Sequence, residues 1–442
     1  MHFIDIGVII LYLLGITFLG IKIGKRIKAS SEFFMPRRFG KGMMMMHAFG
    51  TGTASDQAVV VSSASFKNGL SGIWFQWLWL FCTPFYWLIA PIFRRLRAIT
   101  TADVYALRFG SSVAVLFSII GVIGLSLKIG LMLKGAGALI DAGTDGAVSS
   151  NFAIPTVALL FVIYGAAGGM SAAIITDYIQ GILTIIFSFI LLPFVLQAVG
   201  GINGVRELVN DPSKMSLVAP EKIGIFFIIA FGINSLFLIV SQPFIMGVCS
   251  TGRTEMDGRF GFVAGNLIKR VCTAAWAITG LAALAYFIKE GTILSQVDAD
   301  RVYGQMAKEF LPNIMPGLLG LFIAALLAGV MSSCDSFMIS SSALFTENLY
   351  KPIFTDKSQT HYLKIARIAS IFIVGFGLLF AYSMDGVVSG LKSWLKFGAP
   401  LGIGFWLGLF WRRFNAAGVW VSTLTAYICW WMTTQPFFIS FL

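Results

Sequence analysis

Apolar runs of about twenty residues alternate with short polar stretches along the whole chain. A run of that length crosses the hydrocarbon of a bilayer as an α-helix. The alternation predicts about twelve spans, near 3–22, 43–66, 70–93, 111–139, 152–170, 173–199, 223–247, 261–288, 313–347, 364–384, 387–410 and 415–434. The longest polar stretches, 22–42, 200–222 and 289–312, hold too few residues for a folded domain with its own core. One all-α, polytopic membrane domain over 1–442 is therefore expected. The first run has basic residues after it rather than before it, and no small-residue cleavage site follows. It reads as a retained helix.

Two of the runs are interrupted. The second contains HAFGTGTAS, with Gly50 and Gly52 near its middle, and the seventh contains AFGINS and SQPF, with Gly232 and Pro243. Glycine weakens a helix and proline removes a backbone donor. Backbone freed at membrane depth has to be satisfied by protein, ion or water. The interruptions lie five spans apart, the pattern of a transporter built from two five-span halves with a site at the midplane. The alternative is glycine used only for close helix packing.

The ninth run carries hydroxyls where lipid-facing residues would be apolar. Gly329, Ser332, Ser333, Ser336 and Ser340 fall on one helical face, and Asp335 lies to one side of it. A lone serine usually bonds to the carbonyl one turn back. A stripe of hydroxyls beside a charged residue at membrane depth points instead to a pathway or a partner. Neutral hydroxyls together with carbonyls freed by a broken helix suit a dehydrated alkali cation. A divalent cation would call for several carboxylates.

Composition and charge narrow the classes further. Hydrophobic residues make up 57% and charged residues 12%, about half the charge of a soluble domain. The net charge of +12 is unevenly placed. With the N-terminus outside, nineteen Lys and Arg residues fall on inner loops and span ends, and seven on outer ones. This is the positive-inside pattern of an integral protein of the plasma (inner) membrane. No basic soluble face is left for nucleic acid. The three histidines, His2, His47 and His361, are scattered and the five cysteines show no metal spacing, which argues against a membrane enzyme. A channel would repeat a pore helix by oligomerisation rather than break two helices at matching positions.

The segment LAGVMSSCDSFMISSSALFTENLYKP resembles the core motif of the sodium:solute symporter family, and YGAAGGMSAAIITDYIQ resembles a second signature of it. TTADVYALRFG and SSEFFMPRRFG also fit, so the resemblance covers nearly the whole chain. It implies a leucine-transporter-type 5+5 inverted-repeat bundle: an extra helix and basic loop over 1–42, repeats over 43–199 and 223–410, and a final helix over 411–442. The implied activity is sodium-coupled symport, importing a small organic solute by alternating access. A transport-inactive sensor and a proton-coupled transporter are the alternatives on the same fold. By position, the main sodium site would use backbone oxygens of Gly50, Thr53 and Gly329 and the hydroxyls of Ser332 and Ser333. A second sodium would lie near Asp177, with Ser333 and Ser336, and Asp335 would add a carboxylate there.

For the solute, Gln57 falls where a relative holds its sugar, and Asp56 beside it has no obvious partner. Lys128 lies mid-span and has to be paired or line a wet cavity. It is expected either to hold a solute carboxylate or to bridge to Asp177 or Asp335. Lys269 aligns with a lysine of a sugar site, and both it and Arg270 could instead reach lipid headgroups. An anionic solute is favoured, a sugar next. Trp74, Trp77, Trp79 and Trp87 read mainly as an interface belt, and His47 as structural.

Overall fold

A computed structural model of the chain describes residues 2–25, 30–51, 55–219, 223–433 and 435. These residues are helical throughout, with no strand among them and two isolated bridges, Phe39 with Gly252 and Ala219 with Ile223. The principal helices are α1 (Phe3–Gly24), α2 (Lys41–Gly50), α3 (Ser55–Asn68), α4 (Thr83–Leu96), α5 (Ser111–Gly143), α6 (Ser150–Ala198), α7 (Ile225–Ser241), α8 (Phe244–Ser250), α9 (Glu255–Lys289), α10 (Leu318–Ala343), α11 (Gln359–Ser383), α12 (Val387–Phe410) and α13 (Ala416–Met432).

Among the described residues, seven helical segments are individually long and apolar enough to cross a membrane. The bent pair α7 and α8 makes an eighth. The rest of the expected spans are shorter or interrupted, except 387–410, an unbroken helix of 24 residues that is less apolar than the seven. The second is divided into α2 and α3, and the fifth is the first part of α6, an apolar helix over Ser150–Ile163. Within α6 the backbone leaves the helical region at Gly169 (φ 53, ψ −160), which is where the fifth expected span gives way to the sixth.

Both expected interruptions are present. α2 ends at Gly50 and α3 starts at Ser55, while Gly52 and Thr53 lie outside the described residues. α7 and α8 meet at Gln242–Pro243 with a bend of 70°. Proline accounts for that bend, because it has no N–H for the preceding turn. Gly232 does not break the helix. It lies within α7, where a Cβ would come 2.6 Å from the Phe81 ring, so it is there for close packing.

Burial places the site. Every residue of α10 except Leu321 is buried, so its hydroxyl stripe faces protein on all sides. α1 is the opposite case, with only Asp5, Ile16, Gly20 and Gly24 buried. α9 lies against both halves of the divided span. A Cβ at Gly265 would be 2.5 Å from the Met45 carbonyl oxygen in α2, and one at Gly280 would be 2.4 Å from the Ser62 carbonyl oxygen in α3. Small residues allow this backbone-to-backbone approach, and they fix the break against α9 and α10.

Candidate functional site

The last carbonyls of a helix have no partner within it and carry the negative end of its dipole. At the end of α2 they are met from two directions. Ser333 Oγ of α10 donates to the Gly50 carbonyl at 2.8 Å. Lys269 Nζ of α9 donates to the carbonyls of Ala48 at 3.2 Å and Thr51 at 3.1 Å. Gly50 has little room for a side chain, since a Cβ would come 3.0 Å from Asp177 Oδ1. On the α10 face, Ser332 Oγ and Ser336 Oγ are buried with no hydrogen-bond partner among the described residues. Buried hydroxyls normally have one, and a group without it calls for an explanation. Gly329 is buried one turn earlier on the same face.

A carboxylate cluster lies beside this point. Asp177 of α6 accepts from Thr51 Oγ1 at 3.4 Å, and its Oδ2 is 2.5 Å from His47 Nδ1, with both side chains fully buried. Among the described residues its Oδ1 has no partner, and neither oxygen of Asp335 has one. Asp335 is accommodated because residue 165 is glycine: a Cβ there would sit 1.8 Å from Asp335 Oδ1. Orphaned hydroxyl and carboxylate oxygens of this kind suit a monovalent, oxygen-liganded cation. Among the described residues no group of three His, Cys, Asp or Glu side chains could hold a transition metal.

Next to the break is a cavity of about 50 Å³, room for a few waters. Gln57, Lys128, Lys269 and Arg270 line it, together with Gln76, Gln242 and Asn266 and the rings of Trp79, Tyr86, Phe244, Phe262 and Trp394. Lys128 Nζ is 2.7 Å from Asp56 Oδ2 and 4.7 Å from the centre of the Trp394 ring. Gly135 makes that pairing reachable, since a Cβ there would be 2.8 Å from Asp56 Cα and would keep α5 off α3. Among the described residues Gln57 Oε1, Gln76 Oε1 and Gln242 Nε2 have no partner.

Several expectations change. Asp56 does have a partner, Lys128, and Lys128 bridges to neither Asp177 nor Asp335. A cation and an anion buried at one depth pair with each other because each alone is costly there. Lys269 and Arg270 do not reach lipid headgroups, being only 5% exposed. Lys269 holds the end of α2, and Arg270 donates to the carbonyls of Gln76 and Asn266. Of the four tryptophans, Trp79 lines the cavity, Trp74 and Trp77 donate to the carbonyls of Leu217 and Arg270, and Trp87 stacks on Arg259. Sequence reasoning missed the His47–Asp177 contact, the role of Arg270 and the carboxamides Gln76, Gln242 and Asn266. The only signal for Arg270 was a second charge next to Lys269 inside an apolar run.

A model of the sodium:solute symporter family matches residues 33–426. The chain is 24% identical over 438 residues to the sodium/pantothenate symporter of Haemophilus influenzae, covering 94% of this chain and 87% of that protein. It is 29% identical over 268 residues to the high-affinity proline transporter PutP of Bacillus subtilis, covering 58% of this chain and about half, 54%, of that transporter. Its fold is that of a Na+-coupled sialic acid symporter solved in a substrate-bound, outward-open state, with a TM-score of 0.81 at 20% identity over 94% of this chain and 88% of that one.

Proposed function

This chain belongs to the sodium:solute symporter family and couples sodium to the movement of a small solute, and we propose that the solute is a small organic anion taken up from outside. One observation carries the choice of solute. Lys128, Lys269 and Arg270 border the cavity, and Asp56 neutralises only Lys128. Among the described residues, the two remaining cations hydrogen-bond only to uncharged carbonyls. Buried charge without a counter-ion is costly, so a site of this kind favours a ligand that brings one. Gln57, Gln76, Gln242 and Asn266 would orient its polar atoms, with Trp79 and Trp394 as apolar walls. Pantothenate, the cargo named for one group of relatives, is a carboxylate.

The sodium site proposed here joins the Gly50 and Gly329 carbonyls to the hydroxyls of Ser332 and Ser333, with Thr53 as a further ligand. The free Ser332 hydroxyl supports it. Asp177, Ser336 and Asp335 form the proposed second site, supported by their unpartnered oxygens. In this reading, sodium ties the end of α2 to α10, the solute binds beside the break, and closure occludes both. Loss of sodium on the inside then lets the helices part, a selection between states by differential affinity. One charge crossing about 100 mV gains about 2.3 kcal/mol. The repeats are proposed as 43–199 and 223–410, each opening on an interrupted span. The N-terminus is proposed to lie outside the plasma membrane, on the distribution of basic residues.

The test is uptake into proteoliposomes from a panel of pantothenate, sialic acid, lactate, proline and glucose, under sodium, potassium and proton gradients. Sodium-driven uptake of one or more of the net anions, pantothenate, sialic acid and lactate, is expected, with zwitterionic proline and neutral glucose excluded. Sodium-driven uptake of glucose or proline, but none of the net anions, would overturn the anion assignment.

A further inference from the structure

Away from the solute site, a groove of about 320 Å³ opens where α1 ends, bordered by the segment at 32–38 and by α6 just past its kink. Its shape is set by close contacts. A Cβ at Gly168 would be 2.8 Å from the Gly20 carbonyl oxygen, so α1 and α6 touch backbone to backbone. Phe33, fully buried, packs against Gly169, where a Cβ would meet its ring at 2.6 Å. Leu19, Ile23 and Ile175 give the groove its apolar lining, and Lys22, Arg38, Glu32 and Ser171 its polar lining.

The groove's cations differ from their neighbours. Arg37 donates to the carbonyls of Arg97 and Ala98. Arg38 donates to the buried Ser171 hydroxyl at 3.1 Å, and both residues line the groove. A guanidinium carries five donors, so most remain available. Lys22, in the last turn of α1, is exposed and has no acidic partner within 4.0 Å among the described residues. Among the described residues, two cations and one carboxylate line the groove.

We infer that this groove is a binding site for one anionic phospholipid of the leaflet at the Lys22 end of α1. The phosphodiester would sit between Lys22 and Arg38, and an acyl chain would lie along Leu19, Ile23 and Ile175. The match is twofold: position at the end of a membrane-spanning helix, and apolar lining in the same groove as two cations. Basic pockets between spans at this level are where anionic headgroups bind.

The experiment is native mass spectrometry of the full chain, equilibrated with equal amounts of phosphatidylglycerol and phosphatidylcholine. The unmodified chain is expected to retain one phosphatidylglycerol, with a preference of about tenfold. K22Q/R38Q is expected to lose that preference and each single variant to show part of the loss. R412Q/R413Q, basic residues elsewhere, is expected to keep it. Glycerol phosphate at the same concentration is expected not to compete. Folding of the variants is read from melting in sodium against potassium, which the groove residues do not contact. Undiminished preference in K22Q/R38Q, no preference in the unmodified chain, or competition by glycerol phosphate equal to that of the lipid would each overturn the inference.

Discussion

Lys128 and Asp56 form an ion pair that the structure makes unusually easy to break and to mend. The ammonium and carboxylate are 2.7 Å apart, with side-chain exposures of 3% and 1%. Among the described residues Asp56 Oδ1 has no partner, and no second acid contacts Lys128. Lys128→Met would leave Asp56 buried and uncompensated, and Asp56→Asn would do the same to Lys128. Removing one partner of such a pair costs about 3–5 kcal/mol. That is a large share of the roughly 5–15 kcal/mol by which domains are stable. Replacing both partners removes both charges and leaves only a packing change. The double variant Asp56→Asn/Lys128→Met is therefore expected to regain at least about 2 kcal/mol of what either single variant loses. The assay is thermal unfolding of the purified protein in detergent across the four-member cycle. Losses that simply add in the double variant would refute the pairing and return Lys128 to the role of a solute ligand.

Three further outcomes are expected. Ser332→Ala should weaken apparent sodium affinity about tenfold, the loss of one ligand to a charge, read from the sodium dependence of uptake; an unchanged dependence removes the site. Gly165→Ala should destabilise the fold by about 1–3 kcal/mol, because the added methyl overlaps Asp335 Oδ1 at 1.8 Å. Gly165→Ala/Asp335→Ala should recover part of that in a melting scan, and no recovery would show that the two do not share the space. Arg270→Met should abolish uptake of an anionic solute while keeping the sodium-dependent melting shift, and retained solute affinity would remove Arg270 from the solute site.

Much of this arrangement was legible along the chain, for local reasons. Gly50 and Pro243 act through their own backbone, so the breaks appear in sequence. The stripe from Gly329 to Ser340 is a matter of helical period. The pairings were not legible, because they are tertiary. Lys128 and Asp56 are 72 residues apart, and His47 and Asp177 are 130 apart. The depth argument that flagged Lys128 applied equally to Asp56. Depth alone did not choose among Asp56, Asp177 and Asp335, all of them buried acids within the bundle. Gly232 shows the limit of reading glycine as a break. Its function depends on Phe81, which no local pattern links to it.

The central claim is that sodium is held between the end of α2 and the hydroxyl face of α10. The most direct measurement is the melting temperature of the purified protein in sodium, potassium and choline chloride at equal ionic strength, with Ser332→Ala in parallel. A ligand that binds only the folded state stabilises it by RT ln(1 + [L]/Kd). The account predicts a rise specific to sodium that grows with its concentration and is lost or strongly reduced in Ser332→Ala. Equal melting in the three salts, or a sodium-specific rise that Ser332→Ala leaves intact, would contradict it.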